Sequence, residues 1–424
     1  MNYEVLSVVF LFAVVALGFW RKCNIGILAV GFSLIIGKIG GMSNSQILGG
    51  FDAKLFITLV GVTFLFGIAQ SNGTLELIAK RAVGLAGNRT YLVPVILFLV
   101  TGLLSAIGPG NIPVGALMTV VAVTIAVEMG ENPLLFALAA KVAANGFTIT
   151  PLAPAGVLTM SLSETAGYTD IIIPVMLNVM LWAVIMMVGF SIHYKIYRIK
   201  PGAVAVGGAV SEKKTVTRDQ WITIVGMCVM VYLVMFRRLD VGLTSFFVAA
   251  VLILLGVAKE KQALAKIPWG TLLLICGVGV LMNVVIEMGG IDLISEALLA
   301  IMTPATAAPI IAFISSILSF FSSTTGVVIP TMVPTIGTIV DSLGTGSAGF
   351  ISLTSVMISS SLSSAFSPAS TGGGLILAAY MAASNSENKE QEQQKLFGRL
   401  FMIAIACVIA NIILSAVGVY GIIK

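Results

Sequence analysis

Leu318-Ser319-Phe320-Phe321-Ser322-Ser323-Thr324-Thr325-Gly326-Val327-Val328-Ile329-Pro330 sets a run of hydroxyls and one glycine between two apolar arms. Backbone groups released from a helix find no water inside a bilayer, so such an interruption is tolerated only where it lines a cavity enclosed by protein. A counterpart, Leu104-Ser105-Ala106-Ile107-Gly108-Pro109-Gly110-Asn111-Ile112-Pro113, lies 214 positions upstream, counted from Leu318 back to Leu104. Matched interruptions in two halves of a chain point to the substrate site of a transporter.

Composition agrees with a bilayer setting. The 424 residues are 58% hydrophobic and 10% charged, with a mean hydropathy of +1.08, whereas soluble domains carry about a quarter charged residues. The 23 Lys and Arg are scattered in short loops without a basic face or interleaved aromatics, which argues against a nucleic-acid partner. Cys23, Cys228, Cys276 and Cys407 stand alone, with no metal-ligand spacing, and read as packing residues. Glu4 and no cation precede the first apolar run, so a retained span is expected rather than a cleaved signal.

A bilayer core needs about 20 apolar residues, in a range of about 17 to 25. By that measure spans fall near Val5 to Trp20, Ile25 to Ile39 and Leu55 to Ala69, followed by an interfacial amphipathic stretch from Leu75 to Arg81. Two arms, Tyr91 to Ala106 and Val114 to Val127, flank the first break. At about 21 to 24 Å of helix each, they are short for a crossing and predict a re-entrant hairpin. A broken span runs from Pro133 through Asn145-Gly146-Phe147-Thr148-Ile149-Thr150-Pro151 to Pro154, and Ile171 to Ile192 closes the half. After a hydrophilic linker the pattern recurs: Ile222 to Phe236, Val241 to Val257, Trp269 to Glu287, arms Thr306 to Phe321 and Val327 to Val340, a broken span through Phe366 to Gly374, and Leu396 to Ile422.

The recurrence has a register. Asn24-Ile25-Gly26-Ile27 matches Asp240-Val241-Gly242-Leu243, and Leu75-Glu76-Leu77-Ile78 matches Ile291-Asp292-Leu293-Ile294, both at a shift of 216. Leu104-Ser105 matches Leu318-Ser319 at 214, and Thr150-Pro151 matches Ser367-Pro368 at 217. Four matches in order favour duplication over chance, giving repeats 1–194 and 220–424 joined by a cytoplasmic linker 195–219. Each repeat has five crossings plus a hairpin, an odd number, so the two must be inverted relative to each other. With the linker inside, seventeen Lys and Arg fall on its side and five (Lys38, Lys54, Arg237, Arg238 and Lys424) opposite, which with Lys141 accounts for all 23. That bias follows the positive-inside rule and puts both termini outside. The fold class is therefore an all-α polytopic membrane protein of two inverted repeats, each with a re-entrant hairpin and a broken helix.

Hydroxyls, an amide and exposed carbonyls suit a hard monovalent cation, and helix N-termini after each break direct N–H groups at an anion. Gly110, Asn111, Lys141, Thr148, Thr150, Ser323, Thr324, Thr325, Ser370 and Thr371 are the expected substrate ligands. Ser105, Gly108, Ser319, Ser322, Thr324, Ser367 and Gly372 are the expected cation ligands, with sodium the one metal ion considered. The serines Ser315, Ser316 and Ser359 to Ser364 read instead as small residues that let helices approach. Lys141 is the one charge deep in a span; it either faces the cavity or snorkels to the surface. No Asp or Glu lies at comparable depth, which disfavours a carboxylate proton relay. His193, alone of its kind, ends a span as an interface residue. No HExxH, paired deep aspartate or Ser–His arrangement supports an enzyme, and no cofactor is expected.

Two inverted repeats of this kind resemble the ion transporter superfamily, which includes the divalent anion:sodium symporters. Within it, Leu59-Val60-Gly61-Val62-Thr63-Phe64-Leu65-Phe66-Gly67-Ile68-Ala69-Gln70-Ser71-Asn72-Gly73-Thr74 is similar to the N-terminal signature of MatC-type malonate/dicarboxylate carriers. The resemblance implies a homodimeric elevator transporter in the plasma or inner membrane that carries a small dicarboxylate, commonly with sodium. In the symporters each hairpin tip carries Ser-Asn-Thr. Here Ser322-Ser323-Thr324 keeps the hydroxyls without the amide, and Gly108-Pro109-Gly110-Asn111 lacks the hydroxyls, which makes Lys141 the candidate for the missing cation's charge. A cation/proton antiporter of the same fold and a non-transporting receptor or scaffold are the alternatives.

Overall fold

The structure is a computed structural model and describes residues 2–21, 23–87, 89–199, 216–320, 323–368, 370–384 and 388–423. Among the described residues the first half forms α1 Tyr3–Arg21, α2 Ile25–Ile39, α3 Asn44–Leu48, α4 Ala53–Ser71, α5 Thr74–Gly84, α6 Val93–Ile107, α7 Asn111–Glu128, α8 Pro133–Gly146, α9 Pro154–Thr165 and α10 Ile172–His193. The second half forms α11 Arg218–Arg237, α12 Val241–Leu254, α13 Glu260–Leu264, α14 Trp269–Glu287, α15 Gly290–Leu299, α16 Ala307–Phe320, α17 Ile329–Leu343, α18 Gly346–Ser364, α19 Thr371–Ala383 and α20 Lys389–Ala416. Element for element, the second set repeats the first. Among the described residues eight helical stretches have the length and apolar composition to cross a membrane, and shorter apolar helices fill the matching places.

The signals that start helices repeat as well. Asn24 caps α2 by accepting from the Gly26 N–H, and Asp240, 216 positions on, caps α12 by accepting from the Leu243 N–H at 2.9 Å. Gly73 and Gly289 enter α5 and α15 with φ of +75° and +76°, a left-handed conformation that a glycine takes without steric cost.

Helix crossings between the halves are reciprocal. A Cβ on Gly26 of α2 would come within 2.5 Å of Leu274 Cα on α14, and one on Gly242 of α12 within 2.6 Å of Thr58 Cα on α4. Gly26 and Gly242 are 216 apart, as are Thr58 and Leu274. The partners reply in kind: Gly61 would meet the Gly242 carbonyl at 2.5 Å, and Gly277 the Gly26 carbonyl at 2.2 Å. When i touches j and their matches touch in exchange, the packing is isologous, as across a twofold axis. Missing side chains let these backbones touch, as in membrane helix pairs generally.

The helices that carry the breaks sit at the centre. From Leu134 to Gly146, α8 is buried on every face, and so is α18 from Leu353 to Ser364. Serines of α18 fit such a place because several back-bond within the helix, as Ser363 Oγ does to the Ser359 carbonyl at 2.8 Å.

Four expectations need correction. The arms were expected to be too short to cross, yet α7 has 18 residues, or about 27 Å. Its helix begins at Asn111, inside the expected break, because Pro113 lies in the first turn, where no intrahelical N–H is needed. The span from Val241 ends at Leu254, before Gly256 at φ +74°, and the last span starts at Lys389 and stops at Ala416. Cys23 and Cys228 are exposed, so only Cys276 and Cys407 are packed inside. The short helices α3 and α13 were not anticipated; in α3, Ser43 and Gln46 form a capping box. Most of the linker, 200–215, lies outside the described residues.

Candidate functional site

Each hairpin tip is tied to the broken helix of its own half. Ser105 Oγ donates to the Ala144 carbonyl at 2.7 Å, and Ser319 Oγ donates to the Ser361 carbonyl at 2.8 Å. Those donors are 214 apart and those acceptors 217, the same offsets as in the sequence. Thr150 Oγ1 adds a bond to the Ala106 carbonyl at 2.5 Å. Beyond the breaks, glycines let the backbone fold tightly: a Cβ on Gly156 would strike the Thr150 carbonyl at 1.9 Å, and one on Gly373 the Ser367 carbonyl at 2.2 Å.

The tips and breaks line one small, partly open cavity, with room for water of about 30 Å³. Asn111 and Ile112 come from the first tip; Ser319, Ser323, Thr324 and Thr325 from the second; Lys141 and Asn145 from α8; and Ala365, Ser370, Thr371 and Gly372 from the second break. A smaller neighbouring space of about 20 Å³ adds Thr63 of α4, Gly110, Thr148, Pro154 and the Thr271 to Ile275 side of α14. Asn111, Ile112 and Thr325 border both and form the partition.

Lys141 is 1% exposed, so its ammonium does not reach the surface. Nζ donates to the Asn111 carbonyl at 3.4 Å, and its stem lies against Gly115 and Gly372, where added Cβ atoms would come within 3.0 Å of Nζ and 2.9 Å of Cε. Among the described residues no carboxylate lines either space. Among the described residues the one ion pair is Lys80 with Glu76 on α5, at 2.9 Å. An ammonium has three donors, and a buried charge is costly unless paired. The cavity is therefore built to receive an acceptor with negative charge.

An amide relay continues the wall beside Lys141. Asn145 Nδ2 donates to the Leu362 carbonyl at 3.4 Å, and Asn145 Oδ1 accepts from Asn111 Nδ2 at 3.2 Å. Asn145 and Leu362 are 217 apart, so a residue here touches its own repeat match, which places the pair beside the pseudo-twofold axis. The Asn111 N–H donates to Thr148 Oγ1 at 3.2 Å, and on the other tip Ser361 Oγ donates to Thr324 Oγ1 at 2.7 Å. The helices α7 and α19 start at the cavity wall, at Asn111 and Thr371.

Of the expected residues, Asn111, Lys141, Ser319, Ser323, Thr324, Thr325, Ser370, Thr371 and Gly372 line the main cavity, and Gly110 and Thr148 line its neighbour. Ser105 and Thr150 line neither space; their hydroxyls hold backbone carbonyls. Gly108 packs on Phe66, where a Cβ would come within 2.7 Å of the ring, and Ser367 lies behind Gly373. Ser322 lies outside the described residues. Asn145, Thr63 and Thr271 were missed; the sign for Asn145 was its place four residues after Lys141, on the same helix face.

Comparison with known proteins adds to this geometry. Residues 1–148 match the family described as dicarboxylate carrier protein MatC N-terminus. The resemblance drawn from Leu59 to Thr74 thus extends over the first hairpin and α8, to Thr148, including Asn111, Lys141 and Asn145. No curated protein matches the chain by sequence. Among solved structures, the Alcanivorax borkumensis YdaH transporter superposes with a TM-score of 0.57 at 12% identity, covering 88% of this chain and 87% of its own. At that identity the likeness is one of fold. The chain is an integral membrane protein that shares the fold of that structure, and the family its first 148 residues match is one of carriers.

Proposed function

We propose that the chain is a secondary active transporter of a small organic anion, a C3 or C4 dicarboxylate such as malonate or succinate, driven by a co-transported cation. The observation that carries this reading is Lys141, an enclosed ammonium without a carboxylate partner in a cavity bounded by both hairpin tips. Asn111, Ser323, Thr324, Thr325, Ser370 and Thr371 are the proposed further ligands, with helix starts α7 and α19 turning N–H groups toward the anion. The MatC match supports the dicarboxylate class.

We infer alternating access of the elevator type, in which hairpins and broken helices move against the glycine-packed frame of α2, α4, α12 and α14. Inversion of the repeats, both termini outside, a cell-membrane location and a homodimer belong to the same proposal. Purified protein in proteoliposomes should accumulate labelled malonate or succinate under an imposed sodium or proton gradient. Absence of uptake for every dicarboxylate, with the protein folded and inserted, would refute the reading.

A further inference from the structure

The charge inventory of the cavity limits what can travel in it. Among the described residues Lys141 is the one ionisable side chain on either wall, so they offer a single positive charge. The helices packed against α8 are α6, α7, α10, α18 and α19, and their titratable residues, Glu128, His193 and Tyr380, line neither space. A dianion would leave one charge unbalanced in a medium of low dielectric, which is unfavourable unless a partner enters with it.

Hydrogen-bond polarity says which partner. The Leu362 carbonyl can only accept, so Asn145 must present its NH₂ there and its Oδ1 to Asn111. Asn111 must then answer with its own NH₂, which leaves Asn111 Oδ1 as an acceptor that no donor among the described residues meets. An acceptor at that wall repels a carboxylate oxygen and welcomes an O–H. The second tip differs, since its hydroxyls are already engaged: Thr324 Oγ1 accepts from Ser361 of α18 at 2.7 Å, and Ser323 shares a bond with Thr325 at 3.4 Å.

Resting on the dicarboxylate reading above, we infer that the transported species is the singly charged hydrogen-dicarboxylate, its carboxylate on Lys141 and its carboxylic O–H donated to Asn111 Oδ1. The co-transported cation is then a proton carried on the substrate itself. Atoms balance, because one proton enters and leaves with each diacid.

The test is a pH series of ligand-induced thermal shifts and of uptake, using the full-length protein with malonate and succinate, without sodium and then with it. Apparent affinity referred to total ligand should fall about tenfold across about two pH units centred on the ligand's second pKa, and be constant when referred to monoanion. The half-amide of malonic acid, which keeps one carboxylate and offers an N–H donor, should bind with little pH dependence over that range, and the methyl half-ester, which offers none, should bind more weakly. Affinity that tracks the dianion, or binding that requires sodium at every pH, overturns this inference while leaving the dicarboxylate carrier standing. Binding of no diacid at any pH overturns both.

Discussion

Lys141→Met removes the ammonium and keeps the volume, and it should move stability and binding in opposite directions. Without ligand, Lys141 is a fully enclosed cation with one long hydrogen bond, 3.4 Å to the Asn111 carbonyl. Exchanging enclosed charge for an apolar side chain of similar size stabilises proteins by up to about 1–4 kcal/mol. Methionine suits the site, since the lysine stem already packs on Gly115 and Gly372 and the two residues have similar helix propensity. With ligand, the loss is the carboxylate–ammonium attraction, about 4 kcal/mol at about 4 Å and an effective dielectric near 20. Part of that returns because the variant no longer has a charge to leave unpaired. A fall in affinity of about 10²- to 10³-fold is therefore expected. Thermal unfolding of detergent-solubilised protein reads both effects: the ligand-free variant should melt higher than the parent, and the malonate-induced shift should vanish. A variant that melts lower yet keeps the ligand shift would refute the argument, since Lys141 would then be stabilising the fold without contacting the anion.

Gly372→Ala should abolish uptake and destabilise by about 1–3 kcal/mol, because its Cβ would lie 2.3 Å from the Ala365 carbonyl and 2.9 Å from Lys141 Cε; transport rate and melting temperature check this. Gly61→Leu and Gly277→Leu should be similarly damaging to folded yield, since each forces a side chain onto the matching backbone at 2.5 and 2.2 Å; a large inequality between them would argue against reciprocal packing. Tyr168, between α9 and α10, donates to Asp341 at 2.5 Å, and burial first, then that carboxylate, pushes its phenol up to about 12. With the folded value above the unfolded one, the stability it contributes is complete below about pH 10 and lost as pH rises toward 12. Tyr168→Phe should remove that part of the alkaline loss, measurable as a flatter melting temperature over the interval.

Hydropathy alone located the spans because twenty apolar residues in a row have few other uses, and α2 and α14 begin and end at the expected residues, Ile25, Ile39, Trp269 and Glu287. Caps and breakers set the ends less reliably. Pro113 reads as part of a break, yet it sits in the first turn of α7, so the arm gains three residues at its start. Hydroxyls were the least legible feature. Ser105 and Ser323 look alike in sequence, but one holds the Ala144 carbonyl and the other faces the cavity, a difference fixed by helix packing between segments far apart in the chain. Asn145 escaped notice because it precedes the Gly146-Phe147-Thr148 break, where polarity reads as unwinding, whereas it is still helical and aimed at the site.

Repeat symmetry positions the site, and departures from symmetry give it chemistry. At the offset of 217, Lys141 corresponds to Ile358 and Asn145 to Leu362; at 214, Asn111 corresponds to Thr325. Ile358 is fully buried, so nothing ionic balances Lys141 on the other side of the pseudo-axis. A dianion of malonate or succinate has two like ends, and a twofold site evolved around it would gain most from like groups on both sides. This chain instead sets an ammonium and an amide oxygen in one repeat against mutually bonded hydroxyls in the other. Such a wall distinguishes the two ends of its ligand, and a small symmetric diacid acquires distinguishable ends when one carboxyl keeps its proton.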